Sequence, residues 1–180
     1  MGRLRLRSLR KALLQVGCWV ALLVMLLDSA AWAAWTVKRL YNQMGNLDRC
    51  VLESNAASVR DGYQETQASM IISVDAIMVK TKAPLDDSFG DIGLQVEKND
   101  FIKMDKIVEE RSALFASSYT KILAQLKKEP APVKKGQKPP IPTVKVQLRF
   151  WPTWPATGTH AVEFSLEGFS KAYAEMGACQ

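Results

Sequence analysis

An α+β fold is predicted for this chain: an amino-terminal transmembrane helix, then a two-layer αββ-αββ-α domain with an antiparallel sheet. Three observations predict it. Sixteen uncharged residues, Ala12 to Leu27, follow five basic ones. Further on, short stretches alternate apolar and polar residues, and longer ones repeat apolar residues every three or four positions. Alternation is the period of a half-buried strand, and the 3,4 spacing that of an amphipathic helix. A sheet with one apolar face needs helices to cover it.

The first element is the segment "MGRLRLRSLRKALLQVGCWVALLVMLLDSAAWAAWTVKRL". Residues 1–11 form a basic tail expected to stay cytoplasmic, and residues 12–36 form the membrane segment, because an apolar helix partitions into the bilayer while clustered Lys and Arg remain inside. Two outcomes follow. Ser29-Ala30-Ala31 and Ala31-Trp32-Ala33 both fit the small-x-small pattern of signal-peptidase sites, so cleavage after Ala31 or Ala33 would release a soluble chain. Alternatively the segment stays as an anchor. Sixteen helical residues rise roughly 24 Å against a hydrocarbon core of about 30 Å, which sets Asp28 near the outer interface, with Trp32 and Trp35 as an interfacial belt. Val37, Leu40, Met44, Leu47 and Val51 continue with helical spacing, which favours a helix running on from the membrane and hence the anchor.

Residues 37–67 are therefore expected to be a membrane-proximal helix and loop, with Asp61-Gly62 marking the loop. Residues 68–180 are the exported domain. Met70 to Thr81 reads as one strand, with Met70, Ile72, Val74, Ala76 and Met78 on one face, and Ile92, Leu94 and Val96 form a second. Asn99-Asp100 offers a helix N-cap, and Met104, Val108, Phe115, Tyr119, Ile122 and Leu126 then line one face of a long helix. Residues 127–142 hold five prolines and five lysines and read as an extended linker. Val144, Val146, Leu148 and Phe150 form a third strand; Val162, Phe164 and Leu166 form a fourth. Gly168 precedes a short helix carrying Phe169, Ala172, Tyr173 and Met176 on one face.

This order of elements resembles the circularly permuted ferredoxin-like periplasmic domains of membrane-anchored assembly proteins in pilus and secretion systems. A membrane helix, a sheet and a carboxy-terminal disulfide also make it similar to pilins, although the glycine and glutamate of the pilin processing site are missing. The resemblance is one of architecture and brings no functional residues with it.

Cys18 lies in the apolar run, so Cys50 and Cys179 are the pair available to an exported domain, and two such cysteines pair in an oxidising compartment. The alternative reading is a buried Cys50 and a free thiol at Cys179. No Cys-x-x-Cys is present, so neither zinc nor thioredoxin-like chemistry is indicated.

Catalytic patterns are absent from the sequence. His160 is the only histidine, and a triad through it would need Ser165, Ser170 or a threonine as nucleophile, yet there is no Gly-x-Ser-x-Gly elbow. It reads as an exposed hairpin residue. Asp86, Asp87 and Asp91 in "LDDSFGD" lack the alternating ligands and closing glutamate of an EF-hand, and read as a solvated acidic turn. No phosphate-binding glycine loop and no His-x-x-x-His pair occur, so no metal or cofactor is expected.

What remains is the stretch Trp151-Pro152-Thr153-Trp154-Pro155 between the third and fourth strands. Proline lacks the amide donor a central ladder requires, so this is a loop. Trp151 and Trp154 either fold back to cap the core or form a partner-binding ridge; with Phe150 on the apolar face, Trp151 should point the other way. Charge adds little, because the net +6 comes from the basic tail and the linker and leaves the folded body mildly acidic. Nucleic acid is therefore not an expected partner. The functional expectation is a single-pass protein of the bacterial inner membrane, its amino terminus cytoplasmic and its main domain periplasmic, which contacts other envelope proteins as a scaffold or assembly subunit. The alternatives are a soluble periplasmic binding protein or inhibitor released by cleavage, and, third, a hydrolase using His160.

Overall fold

Residues 37–51, with their helical spacing, form a β-hairpin. In the computed structural model, which describes residues 34–128, 140–152 and 158–179, strand β1 (Trp35–Tyr41) pairs antiparallel with β2 (Leu47–Ser54). Turn chemistry decides the matter. Asn42 Oδ1 accepts from the Met44 and Asn46 amides at 3.0 Å each, and Gly45 adopts φ 79°, a left-handed conformation that glycine takes without steric cost. Trp35 is accordingly no interfacial residue. It is 2% exposed, its ring meets Phe169 edge-on at 5.1 Å, and Nε1 donates to the Ser165 carbonyl at 2.8 Å. The basic tail 1–11, residues 12–33 of the expected membrane segment, residues 129–139 of the linker and Trp154 lie outside the described residues. Among those described, no helix is long and apolar enough to cross a membrane.

The region around Asp61-Gly62 is a turn, as read, but strands flank it: β3 (Ala57–Arg60) and β4 (Glu65–Ile72). The stretch 70–81 also holds a turn. β4 ends at Ile72, and Ser73 to Ala76 reverse the chain into β5 (Ile77–Thr81), with the Ser73 amide donating to the Ala76 carbonyl at 2.9 Å. Reversal changes the parity of the inward face. Met70 and Ile72 are buried on one side of the turn, Ile77 and Val79 on the other, and Val74 is exposed at the tip.

Residues 100–115, expected to be helical, instead make three short strands after β6 (Gly93–Val96): β7 (Ile102–Lys103), β8 (Lys106–Val108) and β9 (Ser112–Phe115). The hairpin β8–β9 turns on Glu109 and Glu110, with φ 51° and 59°, a conformation favoured by Asn-Gly. Each left-handed non-glycine residue costs about 1–2 kcal/mol. Glu109→Asn with Glu110→Gly should therefore raise stability by about 1 kcal/mol, a gain of about 3 °C in melting temperature. An unchanged or lower melting point would mean that the turn is held by contacts that the glutamates make.

Only the end of the predicted long helix is helical: α1 (Tyr119–Leu126) buries Ile122 and Leu126. The Tyr119 hydroxyl donates to the Ser73 carbonyl at 3.1 Å, and burial pushes its pKa up. Later elements follow the sequence reading. β10 (Thr143–Leu148) and β11 (His160–Ser165) pair antiparallel, Val144, Val146, Leu148, Val162 and Phe164 turn inward, and α2 (Phe169–Gly177) buries Phe169, Ala172 and Met176.

The fold is thus mostly antiparallel sheet with two helices among the described residues, an α+β arrangement whose order is not αββ-αββ-α. Its strands form two sheets, one ordered β1-β2-β4-β5-β9-β8 with β3 also on β4, the other β11-β10-β6-β7. Apolar side chains of both sheets and both helices merge into one core. At Gly93 a Cβ would lie 2.5 Å from the Ile102 carbonyl oxygen and 2.4 Å from the Phe101 ring, so the β6–β7 contact requires glycine. The likeness to permuted ferredoxin-like domains, built on the αββ repeat, falls with that order.

Cys50 and Cys179 are disulfide-bonded, with Cα atoms 6.2 Å apart. The bond joins the end of α2 to strand β2, not to a membrane-proximal helix. Helix α2 packs along β1 and β2, which brings residues 129 positions apart within bonding distance.

Candidate interaction surface

Where β10 ends, the chain stays extended and pairs with a distant loop. Phe150 bridges Leu85, the Asp86 amide donates to the Arg149 carbonyl at 3.0 Å, and the Trp151 amide donates to the Pro84 carbonyl at 3.0 Å. Side chains alternate along such a segment. Phe150 faces the core and is 1% exposed, so Arg149 and Trp151 share the opposite side, where Trp151 is 61% exposed. As described, Trp151 does not cap the core. Trp154 lies outside the described residues.

The loop 85–92 is a structured platform, not a solvated acidic turn. Asp86 is buried, and its Oδ1 accepts from the Ser88 amide at 3.0 Å and the Ser88 hydroxyl at 2.6 Å. Asp91 forms a bidentate pair with Arg149, whose Nε lies 3.0 Å from both carboxylate oxygens. Gln147 Nε2 donates to the Asp91 carbonyl at 2.8 Å, tying the loop to β10. Only Asp87 of the three acids is exposed. Hydrogen bonding to Asp91 raises the Arg149 pKa further, so the guanidinium is a fixed charge. It lies 4.3 Å from the centroid of Phe89, a ring that is 63% exposed.

The result is a pair of exposed aromatic side chains on a largely buried arginine: Phe89 stacks on Arg149, whose side chain is 13% exposed, with Trp151 two residues further along the same side. Aromatic residues and arginine are enriched at interface hot spots, the aromatic ones burying large area in well-packed pockets. Sequence reasoning placed Trp151 here but missed Phe89 and Arg149. A phenylalanine inside a polar turn was the available signal.

His160 opens β11 opposite Leu148, its ring 6.0 Å from that of Phe150, and it is half-buried, not exposed. Its Nε2 is buried without a hydrogen-bond partner among the described residues. Ser165 stands five residues along the same strand, about 17 Å away at strand rise. That is beyond the reach a nucleophile and its base need. Its hydroxyl instead accepts from the Glu167 amide at 3.1 Å. Asp61, within electrostatic reach of His160, is held below the ordinary carboxyl range, first by the Gln64 amide at 2.8 Å and against its own burial. Among the described residues no group of three or more His, Cys, Asp or Glu side chains converges on a point where a metal could bind.

Comparison of the chain with protein-family models, with curated proteins and with solved structures gives no match, so no family is assigned to it.

Proposed function

We propose that this protein is an exported domain, anchored in the bacterial inner membrane by its amino-terminal segment, that works by contact as a scaffold or assembly subunit of an envelope complex such as a secretion or pilus system. The observation that carries the contact reading is the exposed pair Phe89 and Trp151, with Phe89 set on Arg149 over a frame of part-buried hydrogen bonds. Export is supported by the basic tail ahead of sixteen uncharged residues and by the disulfide, a bond that persists in oxidising compartments.

The expected effect of Trp151→Ala is a loss of about 2 kcal/mol in association, roughly 30-fold in Kd, with stability changed by no more than about 0.5 kcal/mol because the ring is exposed. Pull-downs from gently solubilised membranes and melts on the same variant measure both. Unchanged capture of every co-purifying protein would end the hot-spot reading. The hairpin at 37–51 also removes the helical continuity that favoured an anchor over cleavage, which gives weight to a second reading: a soluble periplasmic binding protein or inhibitor. Mass spectrometry of the mature chain decides between them. A first residue at Trp32 or Ala34 selects the soluble form, and an intact residue 1–33 segment selects the anchor.

A further inference from the structure

We propose that the outer face of the β1-β2-β4-β5-β9-β8 sheet is a self-association surface, on which a second copy of this chain packs sheet to sheet about a two-fold axis along β5. The surface includes neither Phe89 nor Trp151, and the inference holds for an anchored chain and a released one alike.

The core uses one face of this sheet. Leu52, Met70 and Ile72, Ile77 and Val79, and Ala113 and Phe115 turn into it from four adjacent strands. The residues between them point the other way, because side chains alternate along a strand. Ile71, Met78, Leu114 and Val108 lie on that outer face, each partly exposed, and none of them belongs to the core or packs against it. Both helices and the second sheet put their apolar side chains into the core, so among the described residues no layer covers the outer face. Scattered apolar residues on a surface are ordinary, whereas a contiguous row of them marks an interface.

The row is complementary to itself. Cross-strand pairs join Glu53 to Ile71, Ile71 to Met78, Met78 to Leu114 and Leu114 to Lys106, so five adjacent strands read acid, apolar, apolar, apolar, base, with β5 in the middle. In a two-fold contact residue i meets j and j meets i. An axis along β5 therefore sets Met78 against the partner's Met78, Ile71 against the partner's Leu114, and Glu53 against the partner's Lys106. Sheets packed face to face stand about 10 Å apart with strands nearly aligned, which this axis permits. The apolar residues supply area and the charged ends fix register. Lys38 takes Oε2 of Glu53 and leaves Oε1, while Asp105, next to Lys106, accepts from the Ala116 and Ser117 amides. Lys106 is in no ion pair among the described residues. Lys80 stands one row away on β5, and it lines with Glu53 a groove of about 250 Å³ into which its ammonium can turn from the axis. An unrelated partner would need a matching order of its own; a second copy brings it.

The test is sedimentation of the full chain in mild detergent over a range of protein concentrations. Wild type should reach a dimer, Met78→Asp should weaken self-association by about tenfold or more, and Trp151→Ala should leave it unchanged. Lys106→Glu, at an exposed position, should weaken it about threefold by facing Glu53, and Glu53→Gln added to it should restore most of the loss. Crosslinking reads the geometry. In a Cys18→Ser chain, Met78→Cys should be joined to its symmetry mate by a short bismaleimide, because backbones about 10 Å apart exceed the reach of a disulfide, and Asp87→Cys should not. A wild type that stays monomeric overturns the proposal. So does a dimer that Met78→Asp and Lys106→Glu both leave intact, which would place self-association elsewhere in the chain.

Discussion

Replacing Cys50 and Cys179 together by serine should lower the stability of the domain by up to about 5 kcal/mol, and its melting temperature by about 10 °C or more. The size follows from the chain length enclosed. The two residues are 129 positions apart, and in the chain-entropy model the cost of closing a loop rises with its logarithm, so this crosslink removes much freedom from the unfolded chain. The folded side of the balance is simpler. Helix α2 already buries Phe169, Ala172 and Met176 against the core and packs along β1 and β2, so the double variant should keep its fold. Melts of wild type with and without reductant should bracket the variant. Alkylation of the unreduced wild-type protein at both Cys50 and Cys179 would show that the bond does not form in the cell.

Trp35→Ala should be the most damaging single substitution near the amino terminus, at about 3–5 kcal/mol for the cavity alone. A further 1–3 kcal/mol follows if the Ser165 carbonyl loses its donor and stays dry. Trp35→Phe separates the two contributions, because it keeps most of the ring against Phe169 and removes only Nε1. A loss near 1–2 kcal/mol is expected there. Equal damage from both substitutions would mean that the hydrogen bond dominates. Near-neutral behaviour of Trp35→Ala would return Trp35 to the role the sequence first implied, a residue belonging to the membrane segment.

The elements legible in advance were those with one face in the core and one in water. Val144, Val146 and Leu148, Val162 and Phe164, and the Phe169, Ala172 and Met176 face of α2 show their period because burial alternates along them. The missed elements had misleading periods. Val37 to Val51 carries helical spacing because a hairpin with a five-residue reversal happens to space its apolar residues that way, three of the five (Leu40, Met44 and Leu47) being exposed. Asn42, Gly45 and Asn46 were the physical signal against a helix, and turn chemistry outweighs periodicity where they cluster. Ser73 to Ala76 gave a weaker sign, since the only side-chain support within the turn, beside the backbone bond from the Ser73 amide to the Ala76 carbonyl, is one serine hydroxyl that accepts from the Ala76 amide at 3.1 Å and donates to the Asp75 carboxylate at 2.9 Å. At the candidate surface, the exposure of Trp151 followed from the burial of Phe150. The company of Phe89 and Arg149 did not, because it depends on a pairing between residues 85 and 150 that no local pattern encodes.

The Cys50–Cys179 bond also gives the molecule a topology. Everything from β2 to the end of α2, the Pro- and Lys-rich stretch 127–142 included, is enclosed in one covalent ring, and β1 alone among the strands stands wholly outside it. A protease that cuts the ring once, at that stretch or at any turn, opens a circle without dividing the molecule, so both pieces stay attached to each other. A pull on the amino terminus can likewise peel away β1 and the start of β2, but at Cys50 the tension meets a crosslink and spreads into both arms of the ring. In a crowded, protease-rich compartment the domain would thus survive as a single covalent body after damage that separates an uncrosslinked chain into fragments.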